Sequence, residues 1–317
     1  MRILVTGATG LLGKEIVNRA SNKFARETIF FPGKSELDLI DSTAVENYLK
    51  KNEIDTIIHC AAQVGGIQAN IRSPEIFLYS NVQIDMNLIG LATKLRVPRL
   101  MYFGSSCMYP RLASQPMKEI DIFTGLLEPT NQSYAISKLV GNEMVRVANS
   151  RLGLDYRTII LSNIYGAVQS EDPRNSHLIG AIHNKFRLAI STNQSEIEIW
   201  GTGAARREFT HVEDVADWVV GNISGIHSLP ETLNLGYGQD FTVLEYYKIF
   251  ANLLSKDFQF RFNAEMPDGM PAKLMDSSIA RDQFGWKPQI DPTWGIQMLL
   301  DYRDKQISNG EGLFKNV

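Results

Sequence analysis

The chain has 317 residues, 44% of them hydrophobic. A folded chain of this size buries roughly 75% of the surface that it exposes when unfolded, so we expect one large domain with a smaller lobe, or two domains. The formal net charge is -3, and no basic run of the kind that follows a phosphate backbone is present, which argues against nucleic-acid binding. Two cysteines cannot form a disulfide framework, and they fit a reducing cytoplasm.

The N-terminal run MRILVTGATGLLG has a charge followed by apolar residues, as a signal peptide does. Its glycines interrupt the apolar run before it reaches the length of a signal-peptide core. No stretch approaches the roughly 18 uninterrupted apolar residues of a membrane span. We therefore expect a soluble, cytoplasmic protein without a membrane partner.

Short apolar runs and helical patterns alternate through the first half of the chain. Residues 2–6 form an apolar strand, which a glycine turn and a helix to about residue 21 follow. Further strands are predicted at residues 28–31, 56–59, 100–104 and 156–161. Helices are predicted between them at residues 42–51, 73–95 and 133–152. This order predicts an α/β fold with a doubly wound parallel sheet of the Rossmann type.

The alternation loosens after Asn163. A loop-like stretch at 167–177 and an amphipathic one at 175–189 precede a strand at 196–200 and a helix at 211–223. From Thr242 on, two helical segments flank a Pro/Gly-rich stretch at 266–276. We predict a dinucleotide-binding domain of residues 1–162 plus about 207–240. A smaller C-terminal substrate-binding lobe would contain about 163–206 plus 241–317.

The glycine turn follows the first strand directly and opens the first helix. Its spacing, Gly7-x-x-Gly10-x-x-Gly13, has the wider first interval of short-chain dehydrogenases. Glycines there allow a tight turn and the close approach of a pyrophosphate to the helix N-terminus. A turn without a ligand is the alternative, but the strand–turn–helix context favours nucleotide binding. The predicted cofactor contacts in this turn are Gly7, Thr9, Gly10, Leu11, Leu12 and Gly13.

The end of the second strand bears on the choice between NAD and NADP. A carboxylate there would hold an unphosphorylated adenosine ribose, whereas this chain has Lys34 and Ser35. A cation favours a 2′-phosphate and hence NADP, although Glu36 lies nearby. The other predicted cofactor contacts are Asp38 and Leu39, near the adenine, and Ala61 and Ala62 after the third strand.

Tyr134 and Lys138 lie one helical turn apart in SYAISK, so they share a helix face. The ammonium can lower the pKa of the phenol, ordinarily ~10, and make it a proton donor near neutral pH. Such pairs are also common as solvated surface pairs, so the context decides. The spacing therefore makes both residues candidates for catalysis.

Three further side chains are candidates for chemistry. Residues 100–104 lead directly into Ser105 and Cys107, and side chains that follow a parallel strand point into the ligand cleft. A turn hydroxyl is the alternative for Ser105, and a small core residue for Cys107. His177 precedes an apolar helical run and by itself is more typical of a capping or surface histidine. No cluster has metal-ligand spacing and no GxSxG elbow appears, so no metal is predicted.

The glycine turn, Ser105, Tyr134 and Lys138 together resemble an extended short-chain dehydrogenase/reductase. Within that superfamily the chain resembles the GDP-L-fucose synthase family of GDP-4-keto-6-deoxymannose epimerase-reductases. The segments that carry this resemblance are 59–70, 104–110, 127–138, 162–166, 175–179 and 207–216, with PDGMPAKLMD and FGWKP nearer the C-terminus. One departure is Thr9, where family members can carry an arginine towards the 2′-phosphate, so Lys34 carries more of any NADP preference.

The resemblance implies a role for each matching residue. Ser105, Tyr134 and Lys138 become the reductase triad, of which Tyr134 and Lys138 also contact the cofactor. Cys107 and His177 become the acid/base pair of epimerisation. Residues at positions associated with the sugar nucleotide are Asn163, Lys185, Trp200, Arg207 and Lys273. The implied activity is an NADP-dependent 3,5-epimerase/4-reductase of a GDP-4-keto-6-deoxy sugar. A homodimer is also expected, because residues 73–95 and 133–152 carry more apolar residues than one buried face needs.

Several alternatives stay open at this stage. A dehydratase needs an Asp-Glu pair beside the serine, where this chain has Ser106, Cys107 and Met108. A 4-reductase could keep Cys107 and His177 without using them for epimerisation. A dinucleotide-sensing regulator needs no Ser/Tyr/Lys set. The sugar could be a hexose, a dideoxyhexose or a heptose, and one or both centres could invert.

Overall fold

The computed structural model describes residues 1–25, 28–166 and 177–308. Its strands are β1 (Ile3–Thr6), β2 (Ile29–Phe30), β3 (Thr56–His59), β4 (Arg99–Ser105), β5 (Asp155–Leu161), β6 (Asn163–Tyr165), β7 (Glu196–Trp200), β8 (Arg206–His211), β9 (Thr232–Leu235), β10 (Asp240–Thr242) and β11 (Gln259–Asn263). Its helices are α1 (Leu11–Lys23), α2 (Ser42–Lys51), α3 (Ile67–Arg72), α4 (Pro74–Lys94), α5 (Gln132–Leu152), α6 (Leu178–Ser191), α7 (Val212–Asn222), α8 (Val243–Leu253), α9 (Ser278–Gln283) and α10 (Pro292–Ser308).

The larger sheet has six parallel strands in the order β2-β1-β3-β4-β5-β9. Ile3 and Val5 belong to the core beneath α1 and α7, whereas Leu4 belongs to the core beneath α2, α4 and α5. Strands that are buried on both faces need apolar residues at consecutive positions, which is why β1 reads ILVT. The predicted doubly wound parallel sheet is confirmed.

Local signals set the ends of the helices on this sheet. The Asp41 side chain accepts hydrogen bonds from the backbone N–H groups of Thr43 and Ala44 and so begins α2. Pro74 stands in the first turn of α4, where its missing N–H leaves no hydrogen bond unmade. Helix α5 ends at Gly153, which has a φ of +65° and the left-handed conformation common after helices.

The smaller lobe contains two short sheets and helices α6, α8 and α10. Strand β8 pairs in parallel with β6 and antiparallel with β10, and β7 pairs in parallel with β11. Phe186 of α6 stacks on Phe250 of α8, with ring centroids 5.6 Å apart, in the core of this lobe. Helix α9 and strands β6, β8, β9, β10 and β11 were not predicted, and the helix predicted from residue 73 is preceded by the separate short α3.

The chain passes between the two parts more than once. Strand β8 lies in the three-stranded sheet with β6 and β10. Helix α7 follows it directly and packs against α1 beneath the larger sheet. The chain therefore passes from the three-stranded sheet to the core of the larger sheet at Val212. The division into two regions stays a prediction. None of the described helices is long and apolar enough to cross a bilayer.

Candidate active site

The glycine turn is built for the close approach of its neighbours. Gly7 has a φ of +67°, and a Cβ there would lie 2.6 Å from the backbone nitrogen of Ala61. A Cβ on Gly13 would overlap the carbonyl oxygen of Gly7, which accepts a hydrogen bond from the N–H of Gly10 at 3.0 Å. A larger residue at Gly7 would therefore push the turn away from the chain after β3, and one at Gly13 would push α1 away from the turn.

The start of α1 suits an anionic group. No side chain caps the helix at Gly10, and its first turn has no acidic residue, so its N–H groups and dipole favour negative charge. Thr9 is exposed, Leu11 is half-buried, and Leu12 is buried in the core, so only the backbone of Leu12 can face a ligand. With half-buried Ala61 and Ala62 beside it, the turn fits a dinucleotide pyrophosphate.

Beyond β2, Lys34 is exposed in a turn in which the N–H of Leu37 donates to the carbonyl of Gly33. The Asp38 carboxylate accepts a hydrogen bond from the N–H of Ile40 at 3.0 Å. The carbonyl of Leu39 accepts one from Asn87 at 2.8 Å. Lys34 is thus the exposed charged group that follows β2 most directly, as an NADP site would need.

Ser105, Cys107 and Tyr134 come together where β4 ends. The Ser105 hydroxyl accepts a hydrogen bond from the N–H of Cys107 at 3.2 Å and starts a short 3-10 turn. Tyr134, in the first turn of α5, shares a hydrogen bond with the Ser105 side chain. Phe77 packs edge-on against the Tyr134 ring, with centroids 6.4 Å apart. These contacts place a phenol, a hydroxyl and a thiol in one cleft.

The pKa of Tyr134 is raised, first by burial and then by the charge of Cys107, although the hydrogen bond with Ser105 opposes this. This corrects the expectation that Lys138 lowers the pKa of the phenol. The Lys138 ammonium instead lies 4.6 Å from the ring centroid of Tyr102, and burial lowers its own pKa. A phenol with a raised pKa stays protonated, which is the form that a proton donor needs.

Cys107 has two nitrogen donors at its sulfur. Asn131 Nδ2 and Lys273 Nζ each donate a hydrogen bond to Cys107 Sγ at 3.1 Å. Burial disfavours the thiolate, but the Lys273 charge, the Ser105 hydrogen bond and the Arg207 charge outweigh it, so the pKa of the thiol is lowered. Cysteines beside cations are the reactive ones in proteins. Cys107 is therefore poised to act as a base.

His177 lies just before α6 and faces the same group of charges. The residue is exposed, yet the protein around its ring desolvates it, and this burial together with the Lys273 charge lowers its pKa. Because Lys273 acts on both Cys107 and His177, the three groups share one cleft. The structure thus brings together the five predicted catalytic residues, with Lys138 behind the others.

Two of the predicted sugar-nucleotide residues make contacts at the Pro/Gly-rich stretch of residues 266–276. The Arg207 guanidinium donates to the carbonyls of Met270 and Asp268, at 2.6 and 2.8 Å, and so holds the Pro/Gly-rich stretch in place. Lys273, at the end of that stretch, is buried and bonds Cys107. Its position indicates a role at the thiol, which the sequence did not predict.

The other three candidates lie further along the smaller lobe. Asn163 Nδ2 donates to the carbonyl of Glu208 at 3.0 Å. Lys185 Nζ donates to the carbonyl of Glu198 at 2.7 Å and lies 4.7 Å from the Trp200 ring, and burial lowers its pKa to about 8. Trp200 is 43% exposed and offers a flat face to a ligand. Among the described residues, no contact joins Lys185 or Trp200 to Cys107.

Sequence reasoning missed Asn131 and Asp85. Asn131 stands three positions before Tyr134 in the segment LEPTNQSYAISK, and that proximity was an available signal. Asp85 lies in the middle of α4, where a carboxylate usually indicates a solvated face, but its side chain is buried. Within the described part of the chain, no group of three or more His, Cys, Asp or Glu side chains could hold a metal ion.

Comparisons with known proteins agree with this geometry. Residues 3–236 match the family described as the NAD dependent epimerase/dehydratase family. The chain is 39% identical to GDP-L-colitose synthase of Yersinia pseudotuberculosis, covering 95% of this chain and 97% of that protein. It is 35% identical to GDP-L-fucose synthase of Escherichia coli (strain K12), covering 96% and 98%.

A solved structure extends the comparison to the fold. The GDP-mannoheptose C4 reductase from Campylobacter jejuni with NADP bound superposes with a TM-score of 0.85, at 28% identity, over 96% of this chain and 98% of that one. The predicted resemblance to GDP-L-fucose synthases is confirmed. The chain belongs to the NAD dependent epimerase/dehydratase family.

Proposed function

We propose that the protein is an NADPH-dependent 3,5-epimerase and 4-reductase of a GDP-4-keto-6-deoxy sugar. The observation that carries this is the Cys107 thiol, held by Asn131 and Lys273 and placed beside Ser105 and Tyr134. A reductase by itself needs no thiol, whereas an activated thiol supplies a base for epimerisation. Relatives named GDP-L-fucose synthase and GDP-L-colitose synthase support the GDP-sugar class.

Epimerisation uses the acidity that a 4-keto group confers on the hydrogens at C3 and C5. The Cys107 thiolate removes such a proton, and the electron pair moves into the enolate. His177 returns a proton to the opposite face of the same carbon, which inverts the centre. The lowered pKa of Cys107 serves this step, because the base must be an anion near neutral pH.

Reduction follows epimerisation, since it removes the ketone that activates C3 and C5. Bound at the glycine turn, NADPH supplies the hydride that reduces C4. Tyr134 gives its proton to the oxygen at C4, and Ser105 holds that oxygen by a hydrogen bond. Lys34, exposed beyond β2, is the group that we assign to the 2′-phosphate. Lys138 would hold the nicotinamide ribose of the bound cofactor.

A dideoxy sugar is the second candidate substrate. The 39% identity to GDP-L-colitose synthase favours it over the heptose of the solved C4 reductase. A 3,6-dideoxyhexose differs from the 6-deoxyhexose only in lacking the C3 hydroxyl group, so it has no stereocentre at C3 to invert. The Trp200 face and Lys185 lie in the smaller lobe, which we assign to the sugar nucleotide.

The test is incubation with NADPH and a panel of GDP-4-keto sugars in deuterium oxide, with each product identified by NMR. We expect deuterium at C3 and C5 of the 6-deoxyhexose, and a product with a hydroxyl group at C4 and inverted configuration at C3 and C5. In Cys107→Ser the exchange should nearly stop, because a serine hydroxyl is far less acidic than a thiol, while slow reduction continues. In Tyr134→Phe, reduction should fall about 10²–10⁴-fold with cofactor affinity kept. Normal exchange in Cys107→Ser would show that another group is the base, whereas a wild-type protein that reduces the keto sugar without exchange would be a plain 4-reductase.

We also propose a homodimer formed through α4 and α5. Exposed apolar residues on these helices support it, namely Ile76, Tyr79, Met86 and Val147. A second copy of the same helices would cover this face with matching apolar surface. Light scattering of the wild type and of Tyr79→Glu tests the pairing. We expect a dimer for the wild type and a monomer for the charged variant.

We place the protein in the cytoplasm, where its two free cysteines, Cys60 and Cys107, would stay reduced.

A further inference from the structure

A chain of buried polar groups lies beneath the reductase residues. Asp85 of α4 is 1% exposed, and its Oδ2 accepts a hydrogen bond from the Tyr102 hydroxyl at 2.7 Å. Its Oδ1 lies 3.1 Å from His59 Nε2, and His59 Nδ1 lies 2.8 Å from the Thr6 hydroxyl. Thr6 directly precedes Gly7, so the chain of contacts runs from the glycine turn to the middle of α4.

Lys138 sits at the other end of this chain. Its side chain is buried, and its ammonium lies 4.6 Å from the centroid of the Tyr102 ring. A cation over an aromatic face is attracted by the electrons of the ring, and more strongly when the site is dry. Because the Tyr102 hydroxyl donates to a carboxylate, the ring gains electron density and holds the ammonium better. Tyr102 thereby links the charge of Asp85 to Lys138.

A buried ammonium needs a compensating charge. Among the residues that the structure describes, Lys138 makes no ion pair within 4.0 Å, so it has no adjacent carboxylate. The charge of Asp85 nevertheless favours the protonated form of Lys138 and opposes the effect of burial on its pKa. Asp85 thus supplies the negative charge that compensates Lys138. It acts partly through the Tyr102 ring, to which it is hydrogen-bonded, and partly by direct attraction through space.

The packing of α4 against α5 makes room for this arrangement. A Cβ on Gly141 of α5 would lie 2.6 Å from Asp85 Oδ2 and would overlap the Tyr102 hydroxyl. Glycine inside a helix costs about 1 kcal/mol relative to alanine. The missing side chain is what allows the carboxylate and the hydroxyl to meet between the two helices and the sheet.

We propose that Asp85 is a positioning residue of the reductase, which holds Lys138 in place and in its charged form through Tyr102. Its carboxylate is buried and bonds Tyr102 and His59, so it acts through these neighbours and not on the reacting atoms. The catalytic meaning of this role rests on the proposed function. The titratable groups that face Asp85 and Lys138 are His59 and Cys60 from the end of β3, Tyr102 from β4, and Tyr134 from α5.

Asp85→Asn tests the role of the charge while keeping the shape. Loss of a negative charge disfavours a nearby cation and favours a nearby phenolate, so Lys138 and Tyr134 should both lose their protons at lower pH. We expect the Lys138 titration, and the basic limb of the kcat/KM profile for sugar reduction, to move down by roughly one pH unit. The titration is followed by NMR of lysine labelled at Cε, with the Lys138 signal assigned by its loss in Lys138→Arg.

Asp55→Asn is the matched control. Asp55 precedes β3 at the end opposite His59, and its carboxylate accepts from the Arg2 N–H and pairs with Arg99. This variant should lose stability without moving the Lys138 titration. An unmoved Lys138 titration in folded Asp85→Asn would overturn the proposal, whatever the activity. A moved titration in a protein that reduces no keto sugar would support the charge pairing and refute the proposed function instead.

A second variant, Tyr102→Phe, tests the proposal even if Asp85→Asn fails to fold. Tyr102→Phe keeps the ring over which Lys138 lies and deletes only the hydroxyl that bonds Asp85. We expect a smaller shift of the Lys138 titration in the same direction, because the ring no longer draws electron density from the carboxylate contact. A Lys138 titration identical to that of the wild type in this variant would contradict the link through Tyr102.

Discussion

At the scale of single residues, the Cys107 sulfur accepts hydrogen bonds from Asn131 and Lys273, and the second of these partners is charged. Burial alone would raise the pKa of the thiol, so the lowered pKa depends on the cation. Cys60 is the internal comparison: burial raises its pKa, and Lys138 compensates only in part. Two free cysteines in one chain thus have opposite reactivity because only one of them has a cation at its sulfur.

We predict that Lys273→Met raises the pKa of Cys107, because methionine keeps the length of the side chain and removes the charge. The rate of alkylation by iodoacetamide, measured against pH, should rise with a midpoint about one unit higher than in the wild type. Cys60→Ser serves as the control and should leave the wild-type profile in place. A midpoint that does not move in Lys273→Met would show that other groups set the pKa of the thiol.

At the scale of elements, α4 and α5 approach closely where a glycine lies between them. A Cβ on Gly141 would collide with Tyr102 and Asp85, whereas a Cβ on Gly90 of α4 would meet only Met144 Cε at 3.8 Å, an ordinary contact. Both glycines lie inside helices, where alanine is intrinsically better by about 1 kcal/mol. The packing around each glycine therefore decides whether its replacement by alanine stabilises or destabilises the protein.

We predict that Gly141→Ala destabilises the protein by about 1–3 kcal/mol, because the new methyl group forces buried partners apart. Gly90→Ala should be neutral or stabilising, by up to about 1 kcal/mol. Denaturant unfolding of the two variants beside the wild type measures both changes. Equal effects of the two substitutions would show that the close contact at Gly141 relaxes at no cost.

At the scale of the whole molecule, Glu208 of β8 joins segments that are distant in sequence. Its carboxylate is buried and accepts hydrogen bonds from the N–H groups of Gly238 and Met275, at 2.7 and 3.1 Å. Burial raises its pKa to about 7. The folded protein therefore holds this proton more tightly than the unfolded chain does, and the stability that follows is lost as pH rises towards 7 and above.

We predict that Glu208→Gln removes this pH dependence. Between pH 4 and pH 8, the unfolding free energy of the wild type relative to the variant should fall by about 3 kcal/mol. His211, whose pKa burial lowers to about 4, changes stability in the opposite direction in both proteins, so it cancels in the difference. Denaturant titrations at several pH values measure the difference. A constant difference would mean that Glu208 stays ionised when the protein folds.

The sequence by itself predicted five of the six strands of the larger sheet, the family, and the candidate side chains around Cys107, but it did not predict β9, the sixth strand. Parallel strands buried on both faces need continuous apolar runs, so β3 was predicted with its observed bounds, as was α2, which Asp41 begins. The glycine turn is likewise local, since Gly7 and Gly13 are needed for contacts within a few residues of the turn and at the neighbouring strand. Such signals lie within one element, where the spacing of residues along the chain records them.

Only the tertiary structure decided which polar groups meet. Lys273 reaches Cys107 across 166 positions of the chain, and no periodicity relates the two. Asp85 reads as a surface carboxylate in its helix, yet packing turns it towards Tyr102 and His59. Lys138 follows Tyr134 by one helical turn, and this spacing alone predicts a lowered pKa of the phenol. Burial and the charge of Cys107 raise that pKa instead. Charges act through space, and the fold sets those distances.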